Sequence, residues 1–269
     1  MTKKILYLDP IGGVAGDMFS AAFLDAGVVN VQELQKNVSL VVPEIKLKVE
    51  KTIIGGIQGT KLNVISPQGE ELPGVPHSHG WKSHQHHHEH NHHPYKDICQ
   101  RLQSSKLRDP IKNLAIAIFH KLAEAEAHVH GKKIEDIAFH EVGRNDAIAD
   151  VVCAAVSIFA LGKAECVCGP IPFGQGIITF SHGTMPVPAP AVLEILKGFP
   201  TIPGYPVGEM TTPTGAAIVV TCSSSFQPVP PMTPRIVGYG HGSRIHEGYP
   251  NSFRIIIGEA QQKKGKSDD

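Results

Sequence analysis

Apolar residues crowd together in KILYL, residues 4 to 8, and glycines at 12, 13 and 16 separate that run from an amphipathic stretch, about Asp17 to Ala26, that closes at Gly27. A short apolar run bounded by glycine reads as a buried strand, and the spacing after it reads as a helix. Alternation in IKLKVEKTII (45–54) and TKLNVI (60–65), around glycines 55, 56 and 59, predicts a β-hairpin. From Tyr95 the period turns helical, giving a short helix near 95–104 and a long one from about Pro110 to Val129 with Leu114, Ile118 and Leu122 on one face. A strand near 136–139, a helix from about Asn145 to Leu161 and a strand at 164–168 follow. The last third is rich in proline and glycine. It predicts short helices near 190–197 and 213–221 and strands near 177–180, 235–239 and 252–257, with GYGHG (238–242) as a flexible turn holding His241. The pattern predicts an α+β fold, a mixed sheet with packed helices, with α/β as the alternative. Its expected parts are a βαββ-like lobe over 1–75, a His-rich flexible loop over 76–94, a main lobe over 95–260 and a solvated tail over 261–269.

The loop changes the picture most. Nine of sixteen histidines, His77, His79, His84, His86, His87, His88, His90, His92 and His93, fall in PHSHGWKSHQHHHEHNHHP, which has no apolar period. Imidazole suits nickel, zinc and copper, and an aperiodic segment offers many geometries, so the tract is expected to gather metal without fixing it for chemistry. A purification tag fits poorly, because the run is internal and is interrupted by Trp81, Lys82 and Glu89.

Charge and cysteine content narrow the class. Lys plus Arg equals Asp plus Glu at 25 each, so no basic stripe argues for nucleic acid. Five cysteines without a CxxC pair do not make a disulfide framework and fit a reducing cytoplasm; Cys166 and Cys168 read as small buried hydrophobes or as a pair of soft ligands. No apolar stretch approaches a membrane span, so a cytoplasmic protein is expected.

The strongest candidate chemistry is FHEVGRNDAIADVV (139–152). His140 and Glu141 end a strand, Gly143 turns the chain, and Asp146 and Asp150, four apart, share a face of the next helix. One imidazole and three carboxylates near one point suit a divalent metal or acid/base work; the plain alternative is that Asp146 complements the helix N-terminus and Asp150 pairs with a lysine. In LDPIGGVAGD, Asp9 and Asp17 bracket Gly12, Gly13 and Gly16, whose N–H groups could cradle an anion, although the lysine and Ser/Thr of a P-loop are missing. In GEMTTPTGAA, Thr211, Thr212, Thr214 and Gly215 form a second anion-loop candidate with Thr212 as N-cap. His182 is fixed by a proline-rich loop, and Arg235, Arg244 and Arg254 could meet a phosphate. His120, Glu124 and His128 recur every four residues on the long helix, as do Glu126 and His130, and read as a solvated face.

Taken in order, LDPIGGVAGDMFSAAFLDAGV, LAEAEAHVHG, FHEVGRNDAIADVV, HGTMPVPAPAVLEIL, TPTGAA and PNSFRIIIGE resemble the LarC family of nickel-insertion proteins over nearly the whole chain, Leu6 to Glu259. The resemblance implies insertion of Ni²⁺ into pyridinium-3,5-bisthiocarboxylic acid mononucleotide, with Ni–S and Ni–C bonds formed and CTP consumed, to make the nickel-pincer cofactor of lactate racemase and related enzymes. It implies a cyclometallase, classed as a lyase, with apo lactate racemase or a related enzyme as recipient and a possible homo-oligomer. On that footing His140, Glu141, Asp146 and Asp150 are the candidate base and nickel-orienting residues, and the 211–215 loop is the candidate phosphate holder. Family members generally continue into a C-terminal domain associated with CTP and Mg or Mn, so nucleotide use is expected from such a domain. Two rivals stand beside this reading: a non-catalytic nickel metallochaperone, and a metal-dependent phosphohydrolase using the same carboxylates.

Overall fold

The computed structural model describes residues 3–67, 69–70, 93–139, 142–180, 183–204, 208–243 and 249–261. The fold is α+β, as the pattern predicts. Its strands are β1 (Lys4–Asp9), β2 (Lys46–Ile54), β3 (Ile57–Ser66), β4 (Glu165–Cys168), β5 (Gly174–Phe180), β6 (Gly183–Val187), β7 (Ser225–Phe226), β8 (Met232–His241) and β9 (Ser252–Ala260), with several two-residue strands besides. The helices are α1 (Gly16–Asp25), α2 (Val31–Val38), α3 (Tyr95–Ser104), α4 (Asp109–His130), α5 (Asn145–Leu161), α6 (Pro190–Ile195) and α7 (Pro213–Cys222).

The main sheet runs β7-β4-β1-β9-β8-β3-β2. β1 is parallel to β4 and antiparallel to β9, so strands from both ends of the sequence interleave in one sheet. Leu6 and Leu8 lie beside Cys166 and Cys168 on one sheet face, and all four are buried. Burial pushes the Cys166 thiol up to about 12 and raises Cys168 as well, which makes them neutral apolar fillers.

α1 rests directly on β8. A Cβ on Gly240 would lie 1.9 Å from the Met18 carbonyl oxygen, and one on Gly238 would lie 2.1 Å from that of Ala22. The GYGHG segment is therefore strand and not the flexible turn its glycines suggest: its glycines give up side chains so that a helix can approach. Phe19 and Phe23 of α1 then stack at 5.1 Å between centroids, with Phe253 of β9 at 5.5 Å from Phe19. Asp25 ends α1 as a tie to three strands: Lys51 Nζ (2.6 Å) and Thr60 Oγ1 (2.7 Å) donate to its Oδ1, and the Tyr239 amide (2.9 Å) to its Oδ2. His241 is buried; its Nε2 donates to the Ile57 carbonyl (3.1 Å), so Nδ1 accepts from the Ser252 hydroxyl (2.7 Å) and the ring is neutral, with burial holding its pKa below the ordinary imidazole value.

α5 packs against α1, α2, α4 and α7, and its residues from Val151 to Ser157 are all buried. α2 escapes the periodicity argument because VQELQKNV has few apolar positions; Asn30 starts it by accepting from the Glu33 amide at 2.9 Å. β6 is also unforeseen, since Pro186 lies in a strand that, among the described residues, pairs with β5 alone.

Substituting Gly240→Ala is expected to cost about 1–3 kcal/mol through overpacking against α1. Gly131→Ala, at the left-handed end of α4 with open space around it, is expected to cost about 1 kcal/mol. Urea denaturation of the two variants checks this, and equal midpoints for parent and Gly240→Ala would contradict the close seating of α1.

Candidate functional site

The candidate site lies where the first turns of α1, α5 and α7 meet. α1 and α7 leave from one cross-link: the Val14 amide donates to the Met210 carbonyl (3.0 Å) and the Thr212 amide to the Val14 carbonyl (3.0 Å). α5 reaches the same place through Asp150. A Cβ on Gly16 would sit 2.7 Å from the Asp150 Cβ and 2.8 Å from its Oδ2, so only glycine at the start of α1 leaves room for that carboxyl.

Asp150 is half-buried, and its carboxyl feels the charges of its neighbours. Its Oδ1 is buried and has no hydrogen-bond partner. Burial pushes its pKa well above the usual carboxylate range, and repulsion from Asp17 and then Asp146 adds to the rise. Asp17 and Asp146 each accept a hydrogen bond from the next amide, Met18 (2.8 Å) and Ala147 (2.9 Å), which leaves both carboxylates at helix N-termini. A carboxyl with one buried, unpartnered oxygen beside two others invites a proton or a cation. Among the described residues no three His, Cys, Asp or Glu side chains form a ready-made metal site, so a metal would need repositioned carboxylates or a further ligand. His140 and Glu141, the other members of this motif, lie outside the described residues.

The other predicted residues are arranged differently. The amides of Gly12 and Gly13 donate to the Ser252 (2.7 Å) and Pro10 (3.2 Å) carbonyls, so with Val14 they are committed to the fold and not to an anion. A Cβ on Gly13, whose φ is 98°, would meet the Met210 oxygen at 1.9 Å. Asp9 is paired with Arg254 of β9, whose Nε donates to its Oδ2 at 2.9 Å, which removes both from the list of open charges. Arg235 likewise meets Glu259 at 3.2 Å. Thr211 Oγ1 donates to the Pro172 carbonyl (2.7 Å), and Thr212 Oγ1 accepts from the Gly215 amide (3.1 Å) as the predicted N-cap. A Cβ on Gly215 would meet the Val14 oxygen at 2.1 Å, and Thr214 is buried beside it. His182, Arg244 and the tract histidines from His77 to His92 lie outside the described residues. His93 is described: it pairs with Phe139 and packs on Gly143, one turn ahead of α5. On α4, His120 faces Glu124 at 3.5 Å and His130 faces Glu126 at 3.1 Å, while His128 reaches Glu194 of α6 at 3.6 Å; these are surface pairs.

Sequence reasoning passed over Glu44, Arg101 and Asn145. Arg101 Nη1 donates to Asn145 Oδ1 (2.9 Å), and Asn145 Nδ2 donates to Glu44 Oε1. Only the place of Asn145 inside the FHEVGRND turn could have flagged it; nothing in the sequence joins residues 44, 101 and 145. Two surface grooves among the described residues, each about 400 Å³, lie elsewhere, one beside Val28, Val49 and Lys51 and the other beside Phe173, Gln175 and Ile202.

The sequence profile described as nickel insertion protein matches residues 6–269. A Geobacillus kaustophilus protein named pyridinium-3,5-bisthiocarboxylic acid mononucleotide nickel insertion protein is 41% identical over 259 residues, covering 95% of this chain and 60% of its own length. A Clostridium kluyveri protein of the same name is 40% identical over 97% of this chain and 63% of its own length, and a putative nickel insertion protein of Myxococcus xanthus is 40% identical over 97% and 62%. The chain thus spans less than two thirds of the length of these curated relatives. No solved structure matches it. Among the described residues no helix is long and apolar enough to cross a membrane.

The raised Asp150 pKa fixes the sign of a pH effect. A carboxyl that holds its proton more tightly folded than unfolded leaves stability intact below the unfolded pKa and erodes it as pH rises toward the folded one. Asp150→Asn is therefore expected to be more stable than the parent at neutral pH, with the difference shrinking as pH falls toward the ordinary carboxylate range and levelling off below it. Urea melts at several pH values check this; a difference independent of pH would contradict the buried, repelled carboxyl.

Proposed function

Because the chain belongs to the nickel insertion protein family, we propose that it takes part in inserting Ni²⁺ into pyridinium-3,5-bisthiocarboxylic acid mononucleotide, with nickel as cargo and the nucleotide as acceptor. The observation that carries the proposal to named residues is the orphaned Asp150 Oδ1, buried at the start of α1 inside the motif that sequence reading singled out. A helix core does not keep an unpaired carboxyl for stability, because burial without a partner is costly.

In the proposed chemistry the two thiocarboxylate sulfurs, soft donors, take the nickel, and a ring carbon gives up its proton as the Ni–C bond forms. The electron pair of the broken C–H bond becomes the metal–carbon bond, and the proton passes to a carboxylate. Asp146 and Asp150, the latter ionised once the arriving cation displaces its proton, are the described residues assigned to receive the ring proton and orient the ion, with His140 and Glu141 assigned from the sequence to the same group. The 211–215 loop at the start of α7, with the buried Thr214, is the assigned holder of the single phosphate. The His-rich tract supplies nickel by raising its local concentration. CTP consumption with Mg or Mn, the cyclometallase class and delivery to a lactate racemase-type enzyme belong to the proposal through the family resemblance, as do a cytoplasmic setting and a nucleotide-handling domain among the partners.

Three results are expected. Asp150→Asn and Asp146→Asn lose insertion, measured as pincer-complex absorbance, while circular dichroism stays parental; parental rates would sink the site and favour a passive nickel carrier, which has no use for these carboxylates. Removing residues 77–92 lowers the number of nickel ions bound in equilibrium dialysis yet preserves insertion at saturating nickel, because a loose ligand cluster concentrates metal without setting geometry. The chain alone turns over little CTP, since LDPIGGVAGD lacks the P-loop lysine and its first amides are committed to carbonyls. Efficient, substrate-dependent CTP cleavage by the isolated chain would move the nucleotide site into these loops.

A further inference from the structure

α3 is fastened at both ends to the segment that leads into the acidic turn. At its start His93 and Pro94 pair with Phe139 and Ala138, the Tyr95 amide donates to the Ile137 carbonyl (2.9 Å), and the Tyr95 ring meets Phe139 edge-on at 6.4 Å. A Cβ on Gly143 would lie 2.5 Å from the His93 Cβ, so the end of the His-rich tract is packed against the turn itself. Near its end Arg101 spans two elements: Nε donates to the Val41 carbonyl (2.7 Å) and Nη1 to Asn145 Oδ1 (2.9 Å). Asn145 in turn donates to Glu44, whose Oε1 lies 3.7 Å from Arg101 Nη2. Asn145 is the first residue of α5, immediately before Asp146 and little more than one turn before Asp150.

We propose that Arg101 is a positioning residue for the acidic site. Acting through Asn145 and Glu44, it sets the first turn of α5, and with it Asp146 and Asp150, relative to α3, whose other end holds His93. The N-cap residue of α5, Arg144, makes no side-chain capping hydrogen bond, and the Arg101–Asn145 bond ties the first turn to α3. The guanidinium is suited to the task because a planar fork can satisfy Val41 and Asn145 together, whereas a lysine ammonium gathers its three rotatable donors on one atom and fixes no angle. Arg101 stands away from the reacting atoms, and the inference rests on the nickel-insertion reading.

The test compares Arg101→Gln, Arg101→Lys, Asn145→Ala and the Arg101→Gln/Asn145→Ala pair with Asp150→Asn and the parent. The readouts are insertion kcat and nickel KM, per folded chain, in a mixture that also supplies the part of the Geobacillus relative outside its match. Misplacement of the acidic turn is expected to lower kcat roughly tenfold or more in both Arg101 variants with KM for nickel held. Lysine should fail to rescue, and the double variant should be no worse than the worse single. A parental kcat in the Arg101 variants while Asp150→Asn is inactive overturns the brace and keeps the site. A parental kcat in all of them overturns the site. Should the parent itself make no pincer complex, the functional reading falls, and the brace is judged by hydrogen exchange at amides 146–150: faster exchange in Arg101→Gln supports it and an unchanged rate overturns it.

Discussion

The approach of α1 to its neighbours without intervening side chains governs the rest of the architecture. Gly238 and Gly240 let the helix touch β8, and Gly16 lets the carboxyl of Asp150 reach the helix start. Once α1 is seated, the Val14 cross-link to Met210 and Thr212 sets where α7 begins, and Asp25 fixes the far end to β2, β3 and β8. The helix is a short ruler between the sheet and α5, and close-packed interiors transmit even small displacements along such a ruler. The acidic site is therefore a product of core packing: its geometry is decided by contacts in which glycine is required by space.

Much of the fold was legible because it rests on periodicity. α1, α3, α4, α5 and α7 and the hairpin of β2 and β3 fall within a residue or a few of their predicted limits, each having a clear apolar period or a proline or glycine boundary. Failures came where one residue type serves two purposes. In GYGHG the glycines read as hinge residues, yet they are flat ground under α1; in HGTMPVPAPA proline suggests a loop, yet part of it is β6. α2 was invisible because too few of its residues are apolar.

The site was legible in part and for a definite reason. Local spacing puts Asp146 and Asp150 on one helix face, and the apolar composition of α5 announces that Asp150 is turned partly into the protein, where its Oδ1 is buried. Spacing could not disclose that Asp17 lies close enough to repel it, that the glycine-loop amides are bonded to carbonyls, or that Asp9 is neutralised by Arg254, because each depends on chain segments far apart in sequence. The Arg101 brace joins residues more than forty apart and is legible only in the folded chain.

Electrostatics then separates stability from function. Three carboxyls around the first turns of α1 and α5 oppose one another, and the buried Oδ1 of Asp150 has no donor among the described residues to offset its burial. Such an arrangement weakens the empty protein and is relieved when positive charge arrives. The most direct measurement is a crystal structure of the protein with Ni²⁺ and the bisthiocarboxylate mononucleotide, with anomalous differences collected at the nickel edge. The account predicts a nickel peak at the junction of α1 and α5, with the Asp150 carboxyl turned toward the ion or the reacting ring. Nickel confined to the histidines between 77 and 93, with Asp150 still packed only on Gly16, would contradict it.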